Sequence, residues 1–162
     1  MPMTEIEYRR IEEPEDRVLE QVKQLFNDMY SQMHDHGLML DLDPDGADKW
    51  IISLKRTLGR FAVLQIACQG EEVIGFAHGS LSLAPDYLGS KKIGVVTHIY
   101  VKPDYRSRKV ATGLLDGLEN WFKNQKVHSV ELQVLSQNLE AMNFWRKMGY
   151  KSELFQFRKI NL

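Results

Sequence analysis

A chain of 162 residues with 43% hydrophobic and 27% charged side chains can bury a real core. That excludes a disordered polypeptide and fits a single domain over residues 1–162. Its formal net charge of −1 lacks the basic excess of a general nucleic-acid or membrane-surface binder, so neither partner is expected. Cys68 is the single cysteine, which rules out an intrachain disulfide and a cysteine metal cage.

The chain opens with "EIEYRRI", whose alternation predicts a first strand. Val18, Val22, Leu25, Phe26 and Met29 then recur at helical spacing between Pro14 and Gly37. A second helix is predicted over "DGADKWIISLKRTLG", with Trp50, Ile51, Leu54 and Leu58 on one stripe. "RFAVLQIACQ" and "EEVIGFAHGSLSL" read as a hairpin across a short turn, and "IGVVTHIYV" is a further strand closed by Pro103. Val110, Leu114, Leu115, Leu118, Trp121 and Phe122 mark a long amphipathic helix. "HSVELQVL" predicts a strand, "NLEAMNFWRKMG" a short helix ended by Gly149, and "YKSELFQFRKI" a last strand. The order β-α-α-β-β-β-α-β-α-β implies an α/β fold with a mixed sheet flanked by helices. No apolar run is long enough to span a bilayer, and "MPMTEIEYRR" is too polar and acidic for a signal peptide, so a cytoplasmic protein with no membrane partner is expected.

One stretch departs from this ordinary pattern. "YRSRKVATG", residues 105–113, places Arg106, Arg108 and Lys109 just ahead of the long helix. Cations oppose the positive end of a helix dipole, so the choice is electrostatically poor unless an anion sits there. The free N–H groups of a helix start, from about Arg108 to Thr112, suit a phosphate, and Ser107, Ala111 and Gly113 leave room for its approach. A solvated charged loop is the other reading.

The segment "IYVKPDYRSRKVATGLLDGLENW" resembles the signature of the GNAT superfamily of N-acetyltransferases, in which a strand ending in V-x-P leads through [RQ]-x-x-G-x-[GA] into a helix. "NLEAMNFWRKMGY" is similar to the closing helix of that family, and the two together cover about Ile93 to Tyr150. The resemblance implies a mostly antiparallel GNAT-like sheet and acetyl-coenzyme A as co-substrate, with no metal. It implies that Arg106, Ser107, Arg108, Lys109, Val110, Ala111 and Thr112 receive the pyrophosphate. Ile99, Tyr100 and Val101 would offer backbone groups to the acyl arm, with Asn138 and Ala141 lining its far side and Trp145 packing against the arm or the core.

Two departures from the family pattern stand out. Lys109 replaces a glycine of the turn, so its backbone needs a negative φ or carries strain. Trp145 replaces the tyrosine that in many members protonates the leaving thiolate, and an indole is not an acid. The implied activity is transfer of acetyl to a primary amine of a small molecule or protein, with His98 and Glu131 as candidate bases. A non-catalytic acyl-coenzyme A sensor is the alternative. Structural roles stay open for both candidates, a satisfied imidazole for His98 and a surface carboxylate for Glu131. "FQFRKINL" is a candidate to pair across a homodimer.

Overall fold

The computed structural model describes residues 4–14 and 16–162. Five strands form one sheet in the order β1-β2-β3-β4-β5: β1 Ile6–Ile11, β2 Ala62–Gln69, β3 Glu72–Leu83, β4 Lys92–Val101 and β5 Ser129–Leu132. β1 to β4 run antiparallel as a meander, and β5 lies parallel to β4. That last pairing is forced by the intervening helix, because a crossover returns the chain to the edge at which β4 began.

Helices cover both faces. α1 (Asp16–Asp35) and α2 (Gly46–Thr57) lie on one, and α3 (Val110–Asn124) and α4 (Leu139–Lys147) on the other. Two hydrophobic clusters result. Val22, Leu25, Phe26 and Leu54 meet Leu64, Ile66 and Phe76 on the α1–α2 face. Leu114, Leu115, Leu118 and Phe122 meet Val63, Ile74 and Val96 on the α3–α4 face. β2 is buried at seven consecutive positions because both its faces are covered, which erases the alternation that marks a half-exposed strand. Each fully buried large side chain contributes about 1.5–3 kcal/mol.

α3 approaches the sheet closely where side chains are missing. A Cβ at Gly94 would lie 2.7 Å from Phe122 Cδ1, and one at Gly79 would lie 2.8 Å from its Cζ. The ring therefore sits directly over the two strands where they pair near the head of β5. Among the described residues no helix is long and apolar enough to cross a membrane.

One predicted element is absent. Residues 151–162 form no strand, and Leu154, Phe155 and Phe157 stand in solvent at 86%, 83% and 93% exposure. A strand exists only through a ladder partner, and no described strand of this chain pairs with the segment. The alternation for a strand is present, but among the described residues nothing pairs with it.

Candidate active site

The sheet splits between β4 and β5. Their ladder runs from Ile93 opposite Ser129 to Val96 opposite Leu132 and then stops, leaving Thr97 to Val101 without a neighbour on that side. The cause is local. His98 faces His78 on β3, while the next pair is Val96 with Gly79, so Thr97 is an extra residue on β4. A bulge of this kind bends its strand and raises the local twist, which turns β4 away from β5.

The open edge has a defined polarity. Lys102 N–H bonds Ile74 O at 2.8 Å, so alternation points the backbone groups of Tyr100 towards β3 and those of Ile99 and Val101 towards the split. Of the three residues expected to offer backbone groups, Ile99 and Val101 face the opening and Tyr100 does not. Tyr100 instead buries its ring on the α1–α2 face, where its hydroxyl accepts from Gln32 Nε2 at 3.0 Å. The Val101 carbonyl is already occupied, accepting from Arg106 Nε at 3.0 Å.

At the end of this edge the chain makes a tight turn, Pro103–Tyr105, and enters α3. Gly113 N–H is the first to bond back into the helix, to Lys109 O at 3.1 Å. Among the described residues the N–H groups from Ser107 to Thr112 have no protein acceptor, and no side chain caps the helix. These free donors and the positive end of the helix dipole lie at the end of the open edge. Val110 is buried and contributes only its backbone, while Ala111 and Thr112 are half-buried.

The cations do not all point there. Arg106 turns back, donating from Nη2 to Gln32 Oε1 at 2.7 Å with its guanidinium 5.4 Å from the Tyr100 ring centroid. It ties the end of β4 to α1. Arg108 lies 5.4 Å from the Tyr105 ring centroid, and Lys109 is exposed at the helix mouth.

Lys109 takes the strained option, with φ 59° and ψ 22°, and Ser107 shares it at φ 66°. A left-handed non-glycine residue costs roughly 1–2 kcal/mol. Lys109→Gly is therefore expected to leave stability unchanged or raise it by up to about 1 kcal/mol, and Lys109→Val to lower it by about 1–2 kcal/mol. Chemical denaturation of the two variants checks this, and an equal effect of both would remove the strain argument.

Thr97 also organises two imidazoles. Its hydroxyl donates to His78 O at 3.0 Å, so its lone pairs accept, from His78 Nδ1 and from His98 Nδ1, the latter at 3.1 Å. Both rings must then carry the proton on Nδ1, leaving each Nε2 as an acceptor. His78 Nε2 is buried and has no partner. Trp50 stands edge-on to both rings, with centroids at 5.7 Å and 5.5 Å, and stacks on Phe26 at 4.2 Å.

Burial in this apolar surround pushes His78 down to about 4. It pushes His98 down to about 3, with the neighbouring His78 adding to the effect. Both are neutral near pH 7. An alkylammonium releases its proton near pH 10.4, so handing it to a base near 3 is uphill by about 10 kcal/mol. His98 is thus a hydrogen-bond acceptor with little power as a base.

Glu131 sits opposite Val95, within the paired part of β5 and exposed. Val130 and Leu132 pack on the α3–α4 cluster, so alternation places Glu131 on the face shared with His98. Asn138 caps α4, its Oδ1 accepting from Ala141 N–H at 3.1 Å, and Ala141 packs on the same cluster. Trp145, expected against the acyl arm or in the core, is only 6% exposed and lies in the core against Phe144 and Tyr150, each at 5.1 Å. The ring is part of the α3–α4 hydrophobic cluster, as its apolar area demands. The nearby Tyr150 hydroxyl donates to Glu119 Oε1 at 3.0 Å, and burial raises its pKa well above the ordinary phenol value.

The acidic residues leading into and opening α2 are largely paired. Asp43 and Asp45 hold Lys49 at 3.0 and 2.9 Å, Asp48 holds Lys23 at 3.0 Å, and Asp41 meets His34 at 3.1 Å. Two important residues carry no readable signal in the sequence. Gln32 is one polar position among many on α1, although its place beside the Met29–Met33 apolar stripe hints at an inward role. Thr97 reads as an ordinary β-former, because a bulge depends on how two strands pair.

A split five-stranded sheet between two helical layers, with an anion-receptive helix mouth at the foot of the split, is the architecture of the GNAT acetyltransferases. The sequence model for the acetyltransferase (GNAT) family matches residues 19–150, and the chain belongs to that family. Among solved structures, aminoglycoside N-acetyltransferase AAC(6')-Iy in complex with CoA is similar at 18% identity and TM-score 0.75, covering 97% of this chain and 96% of that one. A predicted acetyltransferase with acetyl-CoA from Clostridium acetobutylicum is similar at 20% identity and TM-score 0.72, covering 97% and 96%. A transcriptional regulator from Bacillus halodurans is similar at 17% identity and TM-score 0.75, covering 96% and 99%. These likenesses are of fold. No curated protein sequence matches the chain.

Proposed function

We propose that this protein transfers an acetyl group from acetyl-coenzyme A to a primary amine by direct attack. The observation that carries the proposal is the continuity of the open β4 edge with six unpaired N–H groups at the mouth of α3. Strand-like and diphosphate-like binding surfaces lie end to end there, in the order that an acyl-pantetheine diphosphate requires. When bound, acetyl-coenzyme A supplies an activated acyl thioester.

The chain's own residues divide the remaining work. The N–H groups of Ser107 to Thr112 hold the diphosphate, and Arg108 and Lys109 balance its charge. Ile99 N–H and C=O hold the arm as an added strand would. On the α1–α2 face, the Nε2 lone pair of His98 accepts a hydrogen bond from the amine and orients it. Glu131, open to water on the same face, takes the proton through solvent. Two of the similar structures are aminoglycoside acetyltransferases, which favours a small molecule carrying amino groups as acceptor over a protein amine.

A second reading, a non-catalytic acyl-coenzyme A sensor, is favoured by the buried Trp145 and the weak base His98. Calorimetric titration with acetyl-coenzyme A, coenzyme A and ATP, followed by thiol release against a panel of amines, tests both. Binding of both coenzymes but not ATP, with amine-dependent thiol release, supports the transferase. Binding without release across the panel supports the sensor, and absence of binding overturns both.

A further inference from the structure

The surround of His98 is made of rings. The imidazole is half-buried beside the exposed Thr97, so it is reached from the open edge of β4. Phe26 and Tyr30 of α1 stand 5.1 and 6.2 Å from it between centroids, Trp50 of α2 at 5.5 Å and His78 of β3 at 6.1 Å. Phe76 of β3 meets Trp50 at 5.7 Å and closes the group from the sheet side.

Charge of the opposite sign is missing from this surround. Burial acts on both imidazoles, and His78 acts on His98 as well, but no carboxylate does. The aspartates leading into and opening α2 are turned to Lys49, Lys23 and His34. Glu131 is exposed to water. A cation entering here gives up its hydration and meets no counter-charge. The resident imidazoles already show the result, since burial drives both into their neutral forms. Aromatic faces attract cations, but one face of Trp50 is covered by Phe26, stacked at 4.2 Å and 12°.

What the surround does offer is ring surface and lone pairs. Thr97 fixes the proton of each imidazole on Nδ1, which leaves two Nε2 acceptors, and that of His78 is buried without any donor. The complementary ligand has an aromatic body, N–H donors and no charge. An amino group attached directly to an aromatic ring has all three properties, because its lone pair is shared with the ring and it stays unprotonated near pH 7. Of an ordinary alkylamine, only about one molecule in 2,500 is uncharged at pH 7.

We propose that the acceptor is an aromatic primary amine, whose ring packs among Phe26, Tyr30 and Trp50 while its N–H donates to His98 Nε2. The inference rests on the transferase reading above. The nitrogen lone pair attacks the thioester carbon, the C–N bond forms, and the C–S bond breaks with its electron pair leaving on the coenzyme sulfur. The nitrogen becomes cationic, and therefore acidic, only as it bonds to carbon. It then gives one proton through water to Glu131, and the thiolate takes one from solvent. The products are an N-aryl acetamide and free coenzyme A. A base able to deprotonate an alkylammonium is not needed, which fits the weak imidazoles.

Thiol release at saturating acetyl-coenzyme A and pH 7 tests this, with aniline and 4-methoxyaniline set against benzylamine, cyclohexylamine and spermidine. The two arylamines are expected to show kcat/KM at least about tenfold above the three alkylamines. His98→Phe is expected to lower the arylamine kcat/KM by about tenfold, one hydrogen bond's worth, with calorimetric affinity for acetyl-coenzyme A unchanged. Circular dichroism verifies the fold of the variant, and the comparison of amines on wild type stands without it. Equal or faster turnover of any alkylamine overturns the arylamine assignment and leaves the transferase reading in place. Coenzyme binding without thiol release from any of the five amines overturns both. Arylamine turnover that a folded His98→Phe leaves unchanged overturns His98 as the group that receives the amine.

Discussion

Ala111→Pro is expected to weaken acetyl-coenzyme A binding by about 10–100-fold while leaving the fold in place. A hydrogen bond from a backbone N–H to a charged phosphate is worth about 1.5–3 kcal/mol, which converts to that range. Proline removes one such N–H from the mouth of α3, at a modest conformational cost to Val110 before it. It is tolerated there because the first turn of a helix has no acceptor for those groups. The residue is half-buried and lies ahead of Gly113, the first position that bonds back into the helix. A charge reversal would be less clean, since Arg106 also holds Val101 O and Gln32, and its loss would disturb β4. Titration calorimetry beside a thermal melt decides the matter. Unchanged affinity in a folded variant would mean that the diphosphate does not rest on these N–H groups.

Acidification from pH 7 to pH 5 is expected to cost the protein about 2–4 kcal/mol of stability, well before its carboxylates titrate. The source is the imidazole pair under Trp50. His78 and His98 take up protons near 6.5 when unfolded, but only near about 4 and about 3 when folded. Between those values the unfolded chain binds more protons, so stability rises with pH. The contribution is complete above pH 6.5 and drains away as pH falls towards the folded values, at up to about 1.4 kcal/mol per pH unit for each ring. Urea unfolding at a series of pH values reads the slope directly. His98→Phe, placed against Phe26 and Trp50, should roughly halve it. A flat profile between pH 5 and 7 would show that the rings are solvated and that the Thr97 bridge does not hold them.

The same imidazoles bear on catalysis. A residue whose neutral form is enforced this firmly can orient an amine but cannot store its proton. The family's usual acid is also missing here, because Trp145 is a packing residue inside the α3–α4 core. In the reaction proposed above, proton movement then falls to solvent and to Glu131, which would make the rate sensitive to how much of the acceptor arrives as free amine.

Much of this protein could be read from the residues alone. The helical stripes of α1 and α3, the β2–β3 hairpin and the order of the elements follow from apolar spacing and turn residues, which are local properties of the chain. The helix mouth was legible for the same reason, since three cations and small residues ahead of an amphipathic run have a local electrostatic meaning. Tertiary structure decided the rest. Whether Tyr100 or its neighbours face the split depends on the phase of the β3–β4 ladder, and the split itself depends on one extra residue, Thr97. Arg106 turned away from the helix mouth because Gln32, more than seventy positions earlier, offered it an acceptor. Trp145 went into the α3–α4 cluster through its place on α4, and the imidazoles lost their basicity to a roof contributed by α1 and α2. The last strand shows the boundary most plainly. Its alternation is written in residues 153–159, but a strand is a relation between two segments, and among the described residues none pairs with it.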